Sequence, residues 1–132
     1  MIYIVMNLTA IVVATLAGLA FGTLYYRFAQ QSRSAPSRIW STFFEAFVAE
    51  FWVCAILAGA LILSPSKGSL WTMTIGSAFV IWIGFVMPTL VASYRYRGMT
   101  MRVALVDCSH WLGMMVVQAV VLRLIGLVPP PN

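Results

Sequence analysis

Two long stretches of this sequence contain no charged side chain, residues 1–26 and 68–94. Each is longer than the roughly 20 apolar residues that a helix needs to cross a bilayer. Across all 132 residues, 62% are hydrophobic and only 8% are charged, whereas about 25% of the residues in a typical soluble domain are charged. A water-soluble fold is therefore excluded, and we expect an integral membrane protein.

Polar and helix-breaking segments divide the chain into apolar parts. A polar loop follows Arg27, a turn containing Pro65 and Gly68 follows Leu63, and a basic loop follows Tyr94. The prolines at 129–131 cannot continue a helix, because proline lacks the backbone donor and clashes with the preceding turn. The sequence predicts an all-α membrane fold, with one domain over residues 1–132 and four transmembrane helices in a compact bundle. The expected spans are about 2–26, 42–63, 70–94 and 101–127.

The net charge of +5 is interpreted through the position of the basic residues. Short cytoplasmic loops of membrane proteins are rich in Lys and Arg. One side of the expected bundle carries Arg27, Arg33, Arg38, Arg95, Arg97 and Arg102, and the other side carries Lys67 and Arg123. This asymmetry predicts both Arg-rich loops in the cytoplasm and both termini outside, and it gives no indication of nucleic-acid binding. Aromatic residues expected to anchor the span ends in the headgroup layer are Tyr3, Tyr25, Trp40, Trp71 and Tyr94.

Small residues form a regular stripe in the first span. Ala14, Gly18 and Gly22 recur every four residues and therefore share one helix face. Helices in lipid associate through close packing of small residues and through hydrogen bonds, so this face is predicted to contact another helix, within the chain or in a second copy. In the third span, Pro88 removes the backbone hydrogen bond to the carbonyl of Gly84, which predicts a kink.

The last span carries a polar stripe. Asp107, His110, Met114 and Gln118 lie within about 80° of the helix circumference, and we expect them to face protein or water. The rise per residue, counted from the expected cytoplasmic ends of the two helices, places Glu50 about 12 Å and His110 about 13 Å into the membrane. Both depths are close to the middle of a bilayer whose hydrocarbon core is about 30 Å thick. An acid and an imidazole at similar depth can pair and lower each other's cost of burial.

Several interpretations of these ionisable residues stay open. Asp107 and His110 are consistent with a proton relay, half of a metal site or a clamp between helices, and Glu50 is a functional candidate or a neutral hydrogen-bonding group. Glu45 follows Thr42 at the spacing of a capping box, which accounts for it structurally. A metal site would need more ligands than the sequence supplies, so no metal and no cofactor is expected. The sequence contains no motif that identifies an enzyme.

Short motifs along nearly the whole chain resemble one family. The segment Asn7-Leu8-Thr9-Ala10-Ile11, the Gly22-Thr23-Leu24-Tyr25-Tyr26 end of the first span, and Trp82-Ile83-Gly84-Phe85-Val86-Met87-Pro88-Thr89 followed by Val106-Asp107 are similar to the bacterial membrane family of domain of unknown function 1761. That family has Trp where this chain has Tyr25. The resemblance implies a four-helix integral membrane protein without an established activity, here expected in the bacterial inner membrane.

Two classes of function follow as hypotheses. The first is a small homo-oligomeric carrier or channel for a proton, cation or small solute, with Glu50, Asp107, His110 and Gln118 as its intramembrane polar cluster. The second is a non-catalytic accessory subunit that packs against a larger membrane complex. The expected partners are the lipid bilayer and either further copies of the chain or that larger complex.

Overall fold

The computed structural model describes residues 2–29, 39–65 and 68–131, and all regular secondary structure in these ranges is helical. The helices are α1 (Ile2–Met6), α2 (Leu8–Phe28), α3 (Ile39–Ile62), α4 (Leu70–Ile81), a π-helical segment (Trp82–Val86), α5 (Met87–Tyr96) and α6 (Met101–Ile125).

Four helical stretches are long and apolar enough to cross a membrane, namely Leu8–Phe28, Trp40–Ile62, Leu70–Tyr96 and Met101–Ile125. The prediction of an all-α fold with four membrane-spanning helices is therefore confirmed. The orientation stays a prediction, and Arg33, Arg38 and Lys67, which contribute to it, lie outside the described residues.

The last helix forms the centre of the bundle. Helix α6 contacts α2, α3, α4 and α5. Of an 18-residue apolar stretch of α6, 44% is buried inside the bundle, whereas only 6% of the corresponding stretch of the third span is buried. Fully buried apolar side chains from three helices fill the core at the end away from the Arg27 loop, including Ile11, Leu57, Met115 and Leu122. The third span, built from α4, the π-helical segment and α5, therefore lies at the periphery.

The first span is interrupted at Asn7, where the sequence predicts one continuous helix. The Asn7 amide nitrogen donates to the carbonyl of Tyr3 at 2.8 Å and to that of Val128 at 2.9 Å, and its oxygen accepts from the Val128 backbone N–H at 2.8 Å. Helix α6 ends at Ile125, and the next residue, Gly126, has a φ of 90° that disfavours other residues. The turn at Gly126 returns the chain towards Asn7, so the buried Asn7 amide ties the first span to the segment that follows α6.

The third span changes its helical register before Pro88. The backbone N–H of Met87 donates to the carbonyl of Trp82, five residues back, which closes the π-helical segment. The Trp82 indole N–H donates to the carbonyl of Cys108 on α6 at 2.8 Å. The sequence predicts a kink at Gly84 and Pro88; the structure has the wider π-helical turn there, and the kink angle itself stays a prediction.

The second span begins earlier than its sequence indicates. Helix α3 already includes Ile39, so Thr42 lies inside the helix and is not its N-cap. The capping-box interpretation of Glu45 is therefore wrong, and the Glu45 side chain is exposed. The next span does have a capped start, since the Ser69 hydroxyl accepts from the Thr72 backbone N–H at 3.2 Å.

Close packing of α6 on α2 predicts a glycine requirement at Gly113. A Cβ atom on Gly113 would lie 2.7 Å from Phe21 Cε1, whereas a Cβ on Gly76 would meet no atom within 4 Å. We expect Gly113→Ala to destabilise the bundle by about 1–3 kcal/mol through overpacking and to lower its thermal unfolding midpoint in detergent. The same substitution at Gly76 is the control and should leave the midpoint unchanged or raise it. Equal midpoints for the two variants would contradict this packing.

Candidate functional site

The glycine stripe of α2 receives polar side chains from two other helices. A Cβ atom on Gly18 would lie 2.6 Å from Glu50 Oε2 and 2.9 Å from Gln118 Nε2. The amide of Gln118 in turn donates to the backbone carbonyl of Glu50 at 3.4 Å. Gly18 therefore provides the space in which a carboxyl from α3 and an amide from α6 lie against the backbone of α2, and the stripe is used within the chain.

One turn further along α2, Gly22 makes room for a histidine. A Cβ atom on Gly22 would lie 2.7 Å from His110 Nε2. Aromatic side chains surround the imidazole, with ring centroids at 4.7 Å for Tyr26, 5.6 Å for Tyr25 and 6.3 Å for Phe21. The His110 side chain is 7% exposed, so the aromatic rings and the glycine hold an imidazole inside the bundle.

Asp107 lies one turn before His110 on α6 and is 2% exposed. The Tyr26 hydroxyl donates to its Oδ1 at 2.7 Å, and the Tyr94 hydroxyl donates to its Oδ2 at 2.5 Å. These donors come from α2 and α5, so one carboxyl joins three helices. Tyr26 touches both Asp107 and His110 and makes the two groups neighbours in one site.

We call Asp107, His110, Glu50 and Gln118 the polar array. Its neighbours on α2 are Tyr26, Gly22 and Gly18, which are spaced by four residues, so the array extends over about 12 Å of that helix. It begins near the end of α2 that carries Arg27 and ends against the buried apolar side chains of the opposite half. Ala14, the remaining predicted stripe residue, is fully buried among those apolar side chains.

Two oxygens of the array are buried without a hydrogen-bond partner among the described residues, Glu50 Oε2 and Gln118 Oε1. Burying a polar group without a partner costs about 1–3 kcal/mol in proteins. Most buried polar atoms are satisfied, so an unsatisfied carboxyl oxygen inside a membrane bundle marks a candidate functional site.

Helical periodicity identifies Asp107, His110 and Gln118, and depth counting identifies Glu50, but neither identifies the tyrosines. Tyr3, Tyr25 and Tyr94 are expected as headgroup anchors, yet their hydroxyls donate to Ala55, Val106 and Asp107 on other helices. Tyr26 lies four residues beyond Gly22 and therefore shares the glycine face, which is the signal that could have identified it. Trp40 and Trp71 are 85% and 48% exposed, and their place at the membrane surface stays a prediction.

In residues 2–29, 39–65 and 68–131, no three His, Cys, Asp or Glu side chains are grouped to hold a metal ion. Cys54 and Cys108 are buried free thiols.

Comparison with known families agrees with the resemblance in the motifs. The model of the family described as Protein of unknown function (DUF1761) matches residues 9–123, which include every member of the polar array. The chain belongs to this family. No curated protein and no solved structure matches the chain. Membership in DUF1761 confirms the predicted family and leaves the activity to be argued from the site.

The hydrogen bonds to Asp107 predict a stabilising role for Tyr94. Removing its hydroxyl takes away a hydrogen-bond donor to a buried carboxyl, and leaving a buried polar group without its partner costs about 1–3 kcal/mol. We expect Tyr94→Phe to lower the thermal midpoint of the purified protein by several degrees. Tyr96→Phe is the matched control, because Tyr96 is 93% exposed two residues away. A Tyr94→Phe midpoint equal to that of Tyr96→Phe would argue against the bond.

Proposed function

We propose that this membrane protein is a proton carrier whose exchange site is the polar array. The observation that supports the proposal is the Glu50 carboxyl, which is 5% exposed and has Oε2 against Gly18 without a hydrogen-bond donor among the described residues. His110 lies against Gly22, one turn of α2 away. Ionisable groups inside membrane bundles are costly and are typical of proton and ion pathways.

The close packing of the array favours a proton over a larger solute. Glu50, Gln118 and His110 lie so near the α2 backbone that even a methyl group on Gly18 or Gly22 would overlap them. A proton needs no cavity, because it moves between side chains. In the proposed exchange, the Glu50 carboxylate takes up a proton to become the neutral acid and later releases it. His110 can relay protons by binding one at one ring nitrogen and releasing one from the other.

The polar array reaches only one end of the bundle, which favours a carrier over an open channel. Asp107 and Tyr26 lie at the end marked by Arg27, while the opposite half contains buried Ile11, Leu57 and Leu122. A charged group would cross this apolar half at a high cost. The proposed cycle therefore requires the helices to move apart at the apolar end before a proton leaves on that side.

The proposal predicts that proton flux depends on Glu50. We expect proteoliposomes containing the wild-type protein and a trapped pH-sensitive dye to show potential-driven proton uptake. Glu50→Gln should reduce the uptake at least tenfold, because an amide keeps the shape of the side chain but cannot exchange a proton.

Glu45→Gln is the matched control, since it makes the same chemical change on an exposed position of the same helix. It should conduct like the wild type. The proposal is wrong if the wild-type protein gives no flux above empty liposomes, or if correctly folded Glu50→Gln conducts as well as Glu45→Gln.

The exposed third span favours a second candidate, an accessory subunit of a larger membrane complex. Only 6% of an 18-residue apolar stretch of this span is buried against the other helices. The exposed side chains of this span include Ile75, Phe79, Val80 and Phe85, which are 39% to 72% exposed. A partner helix on these side chains would give the chain a structural role, with the polar array holding the helices together.

The native mass after gentle extraction separates the two candidates. A carrier is expected as this chain alone or as a homo-oligomer, and a subunit is expected to co-purify with a larger chain in fixed stoichiometry. Replacing Phe79 and Val80 with Ala should release such a partner, while replacing exposed Val5 and Leu8 on the first span should not.

A further inference from the structure

Three neighbouring cavities lie along the junction between α3 and the third span. A cavity of about 370 Å³ at one end is lined by residues that include Ser64, Leu70, Met73 and Arg123. The next cavity, of about 420 Å³, shares Met73 and also includes Ala60, Gly76 and Ile81. The last, of about 280 Å³, shares Ile81 and also includes Ile56 and Phe85. Because neighbouring cavities share a wall residue, we treat them as one feature, the α3–α4 crevice.

The dimensions of the crevice match one leaflet of a bilayer. From Met73 to Phe85 the third span rises about 18 Å, and half of the hydrocarbon core measures about 15 Å. The walls are apolar along this length, and the Ser77 hydroxyl on the wall donates to the carbonyl of Met73 at 2.8 Å. A Cβ atom on Gly76 would meet nothing within 4 Å, so this glycine leaves the middle of the crevice open.

A cation lies at the end of the crevice near Ser64 and Leu70. The Arg123 Nε donates at 3.0 Å to Thr74 Oγ1, a fully buried hydroxyl, which orients the guanidinium group. The acidic residues of the chain are Glu45, Glu50 and Asp107, and none of them lines the three cavities. The guanidinium group matches the geometry of a phosphate anion, to which Arg binds through two hydrogen bonds.

We infer that the α3–α4 crevice is a binding site for one anionic glycerophospholipid, with its phosphate on Arg123 and one acyl chain along Met73, Gly76 and Ile81. The Arg123 guanidinium group at the head and the apolar walls behind it match the two parts of such a molecule. The site lies outside the polar array and does not depend on the proposed proton exchange.

Native mass spectrometry of the full chain in mild detergent tests the site. Titration with dioleoyl phosphatidylglycerol should give one saturable bound lipid, and dioleoyl phosphatidylcholine should bind more weakly. Arg123→Gln should weaken phosphatidylglycerol binding about tenfold, as expected for the loss of a charge-assisted hydrogen bond. Gly76→Leu should weaken the binding of both lipids, because its side chain fills the path of the acyl chain.

Matched variants separate this site from general lipid binding. Arg102→Gln removes an exposed cation from the opposite end of α6, and Gly84→Leu makes the glycine-to-leucine change outside the cavities. Both should bind phosphatidylglycerol like the wild type. Binding that is equal in Arg123→Gln and Arg102→Gln would overturn the headgroup site. Binding that Gly76→Leu leaves intact, or that millimolar inorganic phosphate displaces completely, would overturn the acyl-chain site. A co-purifying protein that occupies the crevice and excludes the lipid would also overturn the inference.

Discussion

The close approach of three helices at Gly18 and Gly22 is the constraint on which the rest of the structure depends. Lipid provides no hydrophobic drive for helix association, so packing and hydrogen bonds must hold the bundle together. Glycine allows Glu50, Gln118 and His110 to lie against the α2 backbone, and these side chains fill the space that the missing Cβ atoms leave. The small-residue stripe and the polar stripe are therefore two sides of one interface.

The number and placement of the spans could be predicted from the sequence, because a bilayer requires long apolar helices whatever their partners are. Pro88 predicts an irregular turn before it, but the π-helical form of that turn and the interruption at Asn7 could not be predicted, since both involve contacts with distant parts of the chain. The interruption at Asn7 is held by Val128, and the π-helical segment lies beside an indole bond from Trp82 to Cys108. A helical pattern read along the sequence contains no information about such contacts.

The candidate site was predictable to a similar extent. Helical periodicity places Asp107, His110 and Gln118 on one face, and depth counting places Glu50 near them. The pairing of Glu50 with Gly18 depends on how α3 is rotated against α2, which the sequence leaves open. A tyrosine at a span end suits either an interfacial position or an interhelical hydrogen bond, and the sequence does not distinguish the two for Tyr94. Its donation to Asp107 emerges only when α5 is placed beside α6.

Polar contacts hold the third span on α6 along its length, while little of its surface is buried. Thr74 accepts from Arg123 near one end, the Trp82 indole donates to the Cys108 carbonyl in the middle, and Tyr94 donates to Asp107 near the other end. Moving this span would break a few discrete hydrogen bonds but expose little apolar core, because only a small part of its surface is packed against the other helices. The same helix borders the crevice and holds the carboxyl at the mouth of the polar array. The third span therefore contacts both features, since Met73 and Gly76 line the crevice and Tyr94 donates to Asp107 of the polar array.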